Sequence, residues 1–280
     1  MSTAVVRSRV PFMPALAAVV AAVVWTATAQ AQPAAEAPPA VQAQSTQAPP
    51  STQAPWWELI GGYEFDTHAT GYAFFGPSYV HPITPTVAWT ANLFPNFLYY
   101  EFDAPNGTTK VRSPGVGSMV GLRFGEKNFF KVGAGPQVKW RRTEFQPRSG
   151  PSTEVSETRV GANVGAEAYV NPSPRNNVHA QLNYSTTDKY TWGRVGVKRQ
   201  VNNLTWQRPN TTFVGVEGIG QGNEDIKSVQ FGGFVEVVHV PTNVSMAFKA
   251  GYKRSTFPAG PDKTGPYFAV TFYQRLKSTT

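Results

Sequence analysis

From Trp56 onward, apolar positions alternate with polar or small ones at a period of two, the repeat of a strand with one greasy and one wet face. The stretch TTFVGVEGIGQ keeps this pattern as far as Gln221. Gly222, Asn223, Glu224 and Asp225 then supply turn chemistry before IKSVQFGGFVEVVHV resumes the alternation. Two alternating runs around such a turn predict a hairpin. On its second strand Val229, Phe231, Gly233, Val235 and Val237 fall on one face and Ser228, Gln230, Gly232 and Glu236 on the other; Phe234 breaks the rule.

Strands are expected at about Trp57–Phe65, Gly71–Val80, Thr86–Phe102 with a break at Pro95, Lys110–Phe124, Phe129–Phe145, Glu154–Val170, Asn177–Ser185, Tyr190–Gln200, Thr211–Gln221, Ile226–Val240, Val244–Arg254 and Pro266–Gln274, about twelve in all. No window of helical period stands out among them. Short turns such as GEKN, NPSPR and HVPTN alternate with longer, more polar connections such as QPRSGPST, QGNEDI and FPAGPDKTG, the asymmetry of outer-membrane barrels. The sixth strand separates its faces cleanly, with Val160, Ala162, Val164, Ala166, Ala168 and Val170 opposite Arg159, Gly161, Asn163, Gly165 and Glu167.

A soluble sandwich also alternates, but its two apolar faces must interdigitate, which selects Leu and Ile as well as Val and Phe. This chain is poor in Leu and Ile and places many glycines on the presumed inner face. Aromatic residues gather near strand ends: Trp57, Trp89, Tyr99, Tyr100, Trp140, Tyr169, Tyr190, Trp192, Trp206, Tyr252, Tyr267 and Tyr273. Girdles at two membrane interfaces account for that placement. The expected fold is therefore all-β, an antiparallel transmembrane β-barrel of about twelve strands over residues 56–280. Several strands exceed the roughly 9 to 11 residues that cross a bilayer, so parts of the barrel should project beyond it.

Residues 1–31 read as a secretory signal peptide: Arg7 and Arg9, an apolar run from Phe12 to about Val24, then Ala27, Ala29 and Ala31 as small-residue cleavage options. Residues 32–55, built almost wholly of Pro, Ala, Gln, Ser and Thr, have too little apolar bulk to fold and are expected to form a disordered linker. Export and the barrel pattern together predict the outer membrane, with outer-membrane lipid as a partner. The chain has no cysteine, which excludes disulfide staples, thiol catalysis and Cys-ligated metals. Its formal charge of +8 is dispersed through the strands, and neither a basic block nor a nucleic-acid-binding module is present, so no nucleic-acid partner is expected.

Charged residues on the inner faces mix both signs: Arg123, Lys139, Arg141, Glu167, Arg194, Glu217, Glu236 and Lys249. They are expected to face the lumen and fill it with ion pairs. A sugar-binding surface would combine aromatic and polar side chains, and Tyr63, Tyr169 and Trp192 are candidate stacking faces. The four histidines are His68, His81, His179 and His239. A histidine that activates a hydroxyl must touch it, and His179 with Ser185, the nearest pair in sequence, would stand roughly 20 Å apart along one strand. Glu64 with Asp66, and Glu224 with Asp225, are carboxylate pairs suited to a glycosidase in principle, but a solvated lumen and a polar turn account for them better. No metal-ligand spacing, phosphate-cradling loop or nucleophile elbow occurs, so no catalytic, cofactor or metal site is predicted.

The segments WELIGGYEF, VRSPGVGSMVGLRFG, FVGVEGIGQGNEDIKSVQFGGFVEVV, FKAGYKRS and GPYFAVTFY, in that order, resemble the cellulose biosynthesis protein BcsS family over about Trp56–Tyr273. Gln221, Gly222, Asn223, Glu224 and Asp225 are its signature turn. The ending YFAVTFY, with Phe268, Val270 and Phe272 on one face, also resembles the last-strand signal read by outer-membrane assembly machinery. The family resemblance implies an outer-membrane or envelope component of cellulose production, not the synthase itself, with no active site to transfer. The expected function is a non-enzymatic outer-membrane accessory of cellulose biosynthesis or secretion, with secretion components or glucan as partners and no cofactor. An envelope enzyme modifying lipid or glucan, and a generic outer-membrane channel or surface protein, remain the alternatives.

Overall fold

The computed structural model describes residues 54–68, 70–202, 210–258 and 260–276. The expected signal peptide, nearly all of the linker, and Trp206 lie outside the described residues. Twelve strands follow one another: β1 (Trp56–Asp66), β2 (Gly71–Thr84), β3 (Val87–Ala104), β4 (Gly107–Phe124), β5 (Phe129–Pro147), β6 (Thr153–Ser173), β7 (Asn176–Ser185), β8 (Tyr190–Gln200), β9 (Asn210–Gly222), β10 (Lys227–His239), β11 (Val244–Thr256) and β12 (Lys263–Leu276). Each pairs antiparallel with its neighbours in sequence, and β1 closes on β12 from Trp57 opposite Leu276 to Asp66 opposite Tyr267. Closure leaves no continuous sheet edge to seek another chain.

Alternation becomes a two-sided wall. On β10, Val229, Phe231, Val235 and Val237 face out and are exposed, while Ser228, Gln230 and Phe234 are buried inside. Phe234, which breaks the sequence pattern, is thus a lumen residue, with the Arg194 guanidinium 5.9 Å from its ring centroid. Across the barrel the outward positions are aliphatic or aromatic, and Val160 is 75% exposed. So extensive an apolar exterior is stable only in lipid, where the closed ladder also satisfies the backbone. The protein is a transmembrane β-barrel.

Both chain ends of the barrel, Trp56 and Leu276, lie at one rim, called here the terminal end. The GEKN turn, the β6–β7 turn and a 3₁₀ turn at Val240–Thr242 share that rim. The opposite rim is the loop end. There β3 to β6, at 18 to 21 residues, outrun their neighbours. Their outward positions change from Phe97, Pro114, Trp140 and Val160 to Glu101, Arg112, Arg142 and Ser156, which marks where the wall leaves the apolar layer.

Two strand expectations are corrected. Pro95 does not break β3, which continues through it in register with Val116 of β4; the missing N–H instead falls where the β2–β3 ladder is open, between Phe74–Asn96 and Ser78–Asn92. A proline is tolerated where no ladder bond is required of it. The tenth strand ends at His239 because Pro241 enters the 3₁₀ turn and Asn243 takes a left-handed conformation, φ 52°. The girdle expectation is half corrected as well. Trp57, Tyr79, Trp89 and His81 do form an aromatic belt outside the terminal end, with centroids 4.9 to 6.3 Å apart. Tyr100, Tyr169, Tyr190, Trp192, Tyr267 and Tyr273, by contrast, sit on inward positions and furnish the lumen. Position near a strand end does not fix the face; the parity along the strand does.

Candidate functional site: the barrel lumen

The loop end is closed. Ile226, from the β9–β10 turn, and Phe257, from the β11–β12 connection, fold inward onto Leu98, Tyr100 and Val111 to form an apolar plug flanked by Tyr72, Phe102 and Tyr190. Phe102 and Phe257 stack at 5.3 Å. A cavity of about 10 Å³, no more than one water needs, lies against the plug. The turn is held in place by local chemistry: Asn223 Oδ1 accepts from the backbone N–H of Asp225 (2.9 Å) and Ile226 (3.0 Å). The Asp225 carboxylate then accepts from Arg141 (2.7 Å) and the Tyr100 hydroxyl (3.2 Å), both from the barrel wall. The signature turn therefore carries a latch as well as hairpin geometry. Within it Glu224 points to solvent and pairs with Lys189 at 2.8 Å.

Below the plug lies a band of buried charge. Lys253 bridges Glu64 and Asp66, each at 3.2 Å, and Gln230 donates to Glu64 at 2.6 Å. The expected solvated carboxylate pair is thus mostly buried and shares a single lysine. Glu217, whose side chain is fully buried, accepts from Arg194 (2.7 Å), Lys249 (3.0 Å) and the Tyr267 hydroxyl (3.4 Å). Tyr267 reaches it by lying across Gly232 and Gly251; a Cβ at these positions would stand 2.5 Å from its hydroxyl oxygen and 2.7 Å from a ring carbon. Lys139 and Arg159 share Asp188 of the β7–β8 turn. Isolated charges at such depth would be prohibitive, so pairing is the condition for their presence.

Toward the terminal end the lumen opens. A middle chamber of about 290 Å³ is lined by side-chain amides and aromatic rings, among them Asn92, Asn163, Gln181, Asn183, Phe94 and Trp192. It adjoins a vestibule of about 740 Å³. In the vestibule Glu167 accepts from Lys131 (2.6 Å) and His179 (2.9 Å), and Glu236 from Lys198 (2.6 Å) and Ser245 (2.6 Å). Arg123 lies 3.8 Å over Phe129 and 3.9 Å from Glu58, to which Trp56 and Tyr273 also donate.

All eight sequence-derived lumen candidates thus stand on the inner wall, but in separate groups. Arg141 belongs to the latch, Arg194, Glu217 and Lys249 to one cluster, Lys139 to another, and Arg123, Glu167 and Glu236 to the vestibule. Tyr169 and Trp192 face the lumen; Tyr63 is 55% exposed on the outside, stacked on Phe65. The sequence reading missed Asp188, Ile226 and Phe257, because turns have no parity to follow, and Lys253, whose inward parity was readable. His179 and Ser185 have different partners, Glu167 and Gln137. His239 bonds Thr242 at the terminal rim, and His68 bonds the Thr264 carbonyl at the loop end.

The sequence model for the cellulose biosynthesis protein BcsS family matches residues 93–276, from within β3 to the end of β12. The chain belongs to that family. In this BcsS-family barrel the matched region holds the plug, the signature turn and most of the buried ion pairs. No curated protein is similar to it in sequence. Similar solved structures include the β domain of the Bordetella autotransporter BrkA, 12% identical over 80% of this chain and 99% of that one, TM-score 0.47. The translocator domain of the autotransporter NalP from Neisseria meningitidis is 10% identical over 80% and 87%, TM-score 0.46. LpxR from Salmonella typhimurium is 11% identical over 77% and 99%, TM-score 0.41. These likenesses carry no assignment of function.

Proposed function

We propose that the protein is a non-enzymatic accessory of bacterial cellulose biosynthesis, seated in the outer membrane and engaging glucan or secretion components from its terminal side. The family match over residues 93–276 carries this reading. The apolar exterior supports the membrane location, and the plugged loop end supports a docking role over that of a permanently open conduit. The test is secreted cellulose from a deletion strain, measured beside glucan synthesis by its isolated inner membranes. Lost secretion with intact synthesis is expected; unchanged secretion would remove the cellulose role.

One observation favours a second reading, an envelope enzyme acting on lipid or glucan: His179 Nε2 lies 2.9 Å from Glu167 on the vestibule wall, the base-and-orienter half of a catalytic triad. Against it, Lys131 holds the same carboxylate. Complementation of the deletion strain with His179→Ala separates the two. The accessory reading expects full cellulose secretion from this variant, and the enzyme reading expects none.

A further inference from the structure

The middle chamber differs in chemistry from the rest of the lumen. Every charged side chain on its border already holds an ionic partner: Glu64 with Lys253, Lys131 with Glu167, Lys139 with Asp188, and Arg194 and Lys249 with the Glu217 they share. Its free chemistry is amide and aromatic. Asn163, only 7% exposed, is one of the lining residues, and its Nδ2, buried in the wall against Gly117, lacks any hydrogen-bond partner. Leaving a buried amide unpaired is disfavoured, and such a group in a native fold calls for an explanation. Gly117 and Gly165 make room for these amides, since a Cβ on either would stand 2.5 Å from Asn163 Nδ2 or 2.6 Å from Asn183 Oδ1. Gln181 and Trp192 complete the wall.

Side-chain amides donate and accept in pairs, as vicinal hydroxyls do, and an aromatic face suits the C–H face of a sugar ring. We propose that the chamber binds the end of a neutral saccharide, which enters through the vestibule and stops beneath the ion-pair band. Because the loop end is plugged, the ligand is held end-on and does not thread through. The assignment rests on the cellulose reading only in expecting a β-glucan to be preferred.

The test is isothermal titration of the full chain in detergent micelles with cellotetraose, maltotetraose and tetragalacturonate. Cellotetraose should bind, and Asn163→Leu or Gln181→Leu should weaken binding at least tenfold while preserving heat-modifiable migration. As the chain has no cysteine, Thr271→Cys, on the wall where chamber and vestibule meet, gives a second readout: saturating cellotetraose should slow its labelling by a maleimide. Binding of maltotetraose but not cellotetraose would keep the saccharide site and count against cellulose as its source, a question the deletion strain answers separately. No binding of either neutral sugar, preference for tetragalacturonate, binding indifferent to the chamber substitutions, or unprotected labelling would overturn the proposal.

Discussion

At the scale of single residues, the lumen is governed by the cost of leaving charge unmatched. Glu217 is the common acceptor for side chains from β8, β11 and β12. Glu217→Ala would strand Arg194 and Lys249 in a dry interior, which typically costs about 3–5 kcal/mol. A marked fall in the urea midpoint in detergent is the expected result. Glu224→Ala removes only the exposed pair with Lys189, and its midpoint should match the parent. Gly232→Val tests the same site sterically: it should drive Tyr267 off the wall and lower the midpoint although no charge changes.

At the scale of elements, the β9–β10 hairpin does two jobs with adjacent residues. Asn223 shapes the turn, Asp225 latches it to Arg141 and Tyr100, and Ile226 enters the plug. Phe257 closes the other half from the β11–β12 connection. The double variant Ile226→Ala/Phe257→Ala should therefore raise conductance in planar bilayers above that of the parent protein while the barrel stays folded. An unchanged conductance would mean that the ion-pair band, and not the plug, is the seal.

For the whole molecule, stability depends on an apolar exterior matched to the bilayer and a polar interior paired with itself. Val235 stands outward and is 45% exposed on β10. Val235→Arg would present a cation to lipid, costing about 2–4 kcal/mol near the midplane, and should depress refolding into vesicles. The long β3–β6 walls are indifferent to this rule above Trp140 and Val160, where their outward positions are already polar. Glu144→Arg should insert as well as the parent chain.

The period-two pattern by itself determined the strand count, the antiparallel order, the membrane-facing side and the inward placement of the eight charged candidates, because alternation is a local property of each strand. It also marked the turn at Gln221–Asp225, whose residues form that turn with neighbours two and three positions away. Only the tertiary structure decided which inward charges meet: Glu64 with Lys253, and Asp225 with Arg141, are brought together by closure of the barrel and not by spacing. Only it decided that Ile226 and Phe257 plug one end, and that Asn163 is left unpaired beside a chamber. These are facts about strands far apart in sequence and about turns that leave the strand repeat, and no local pattern encodes them.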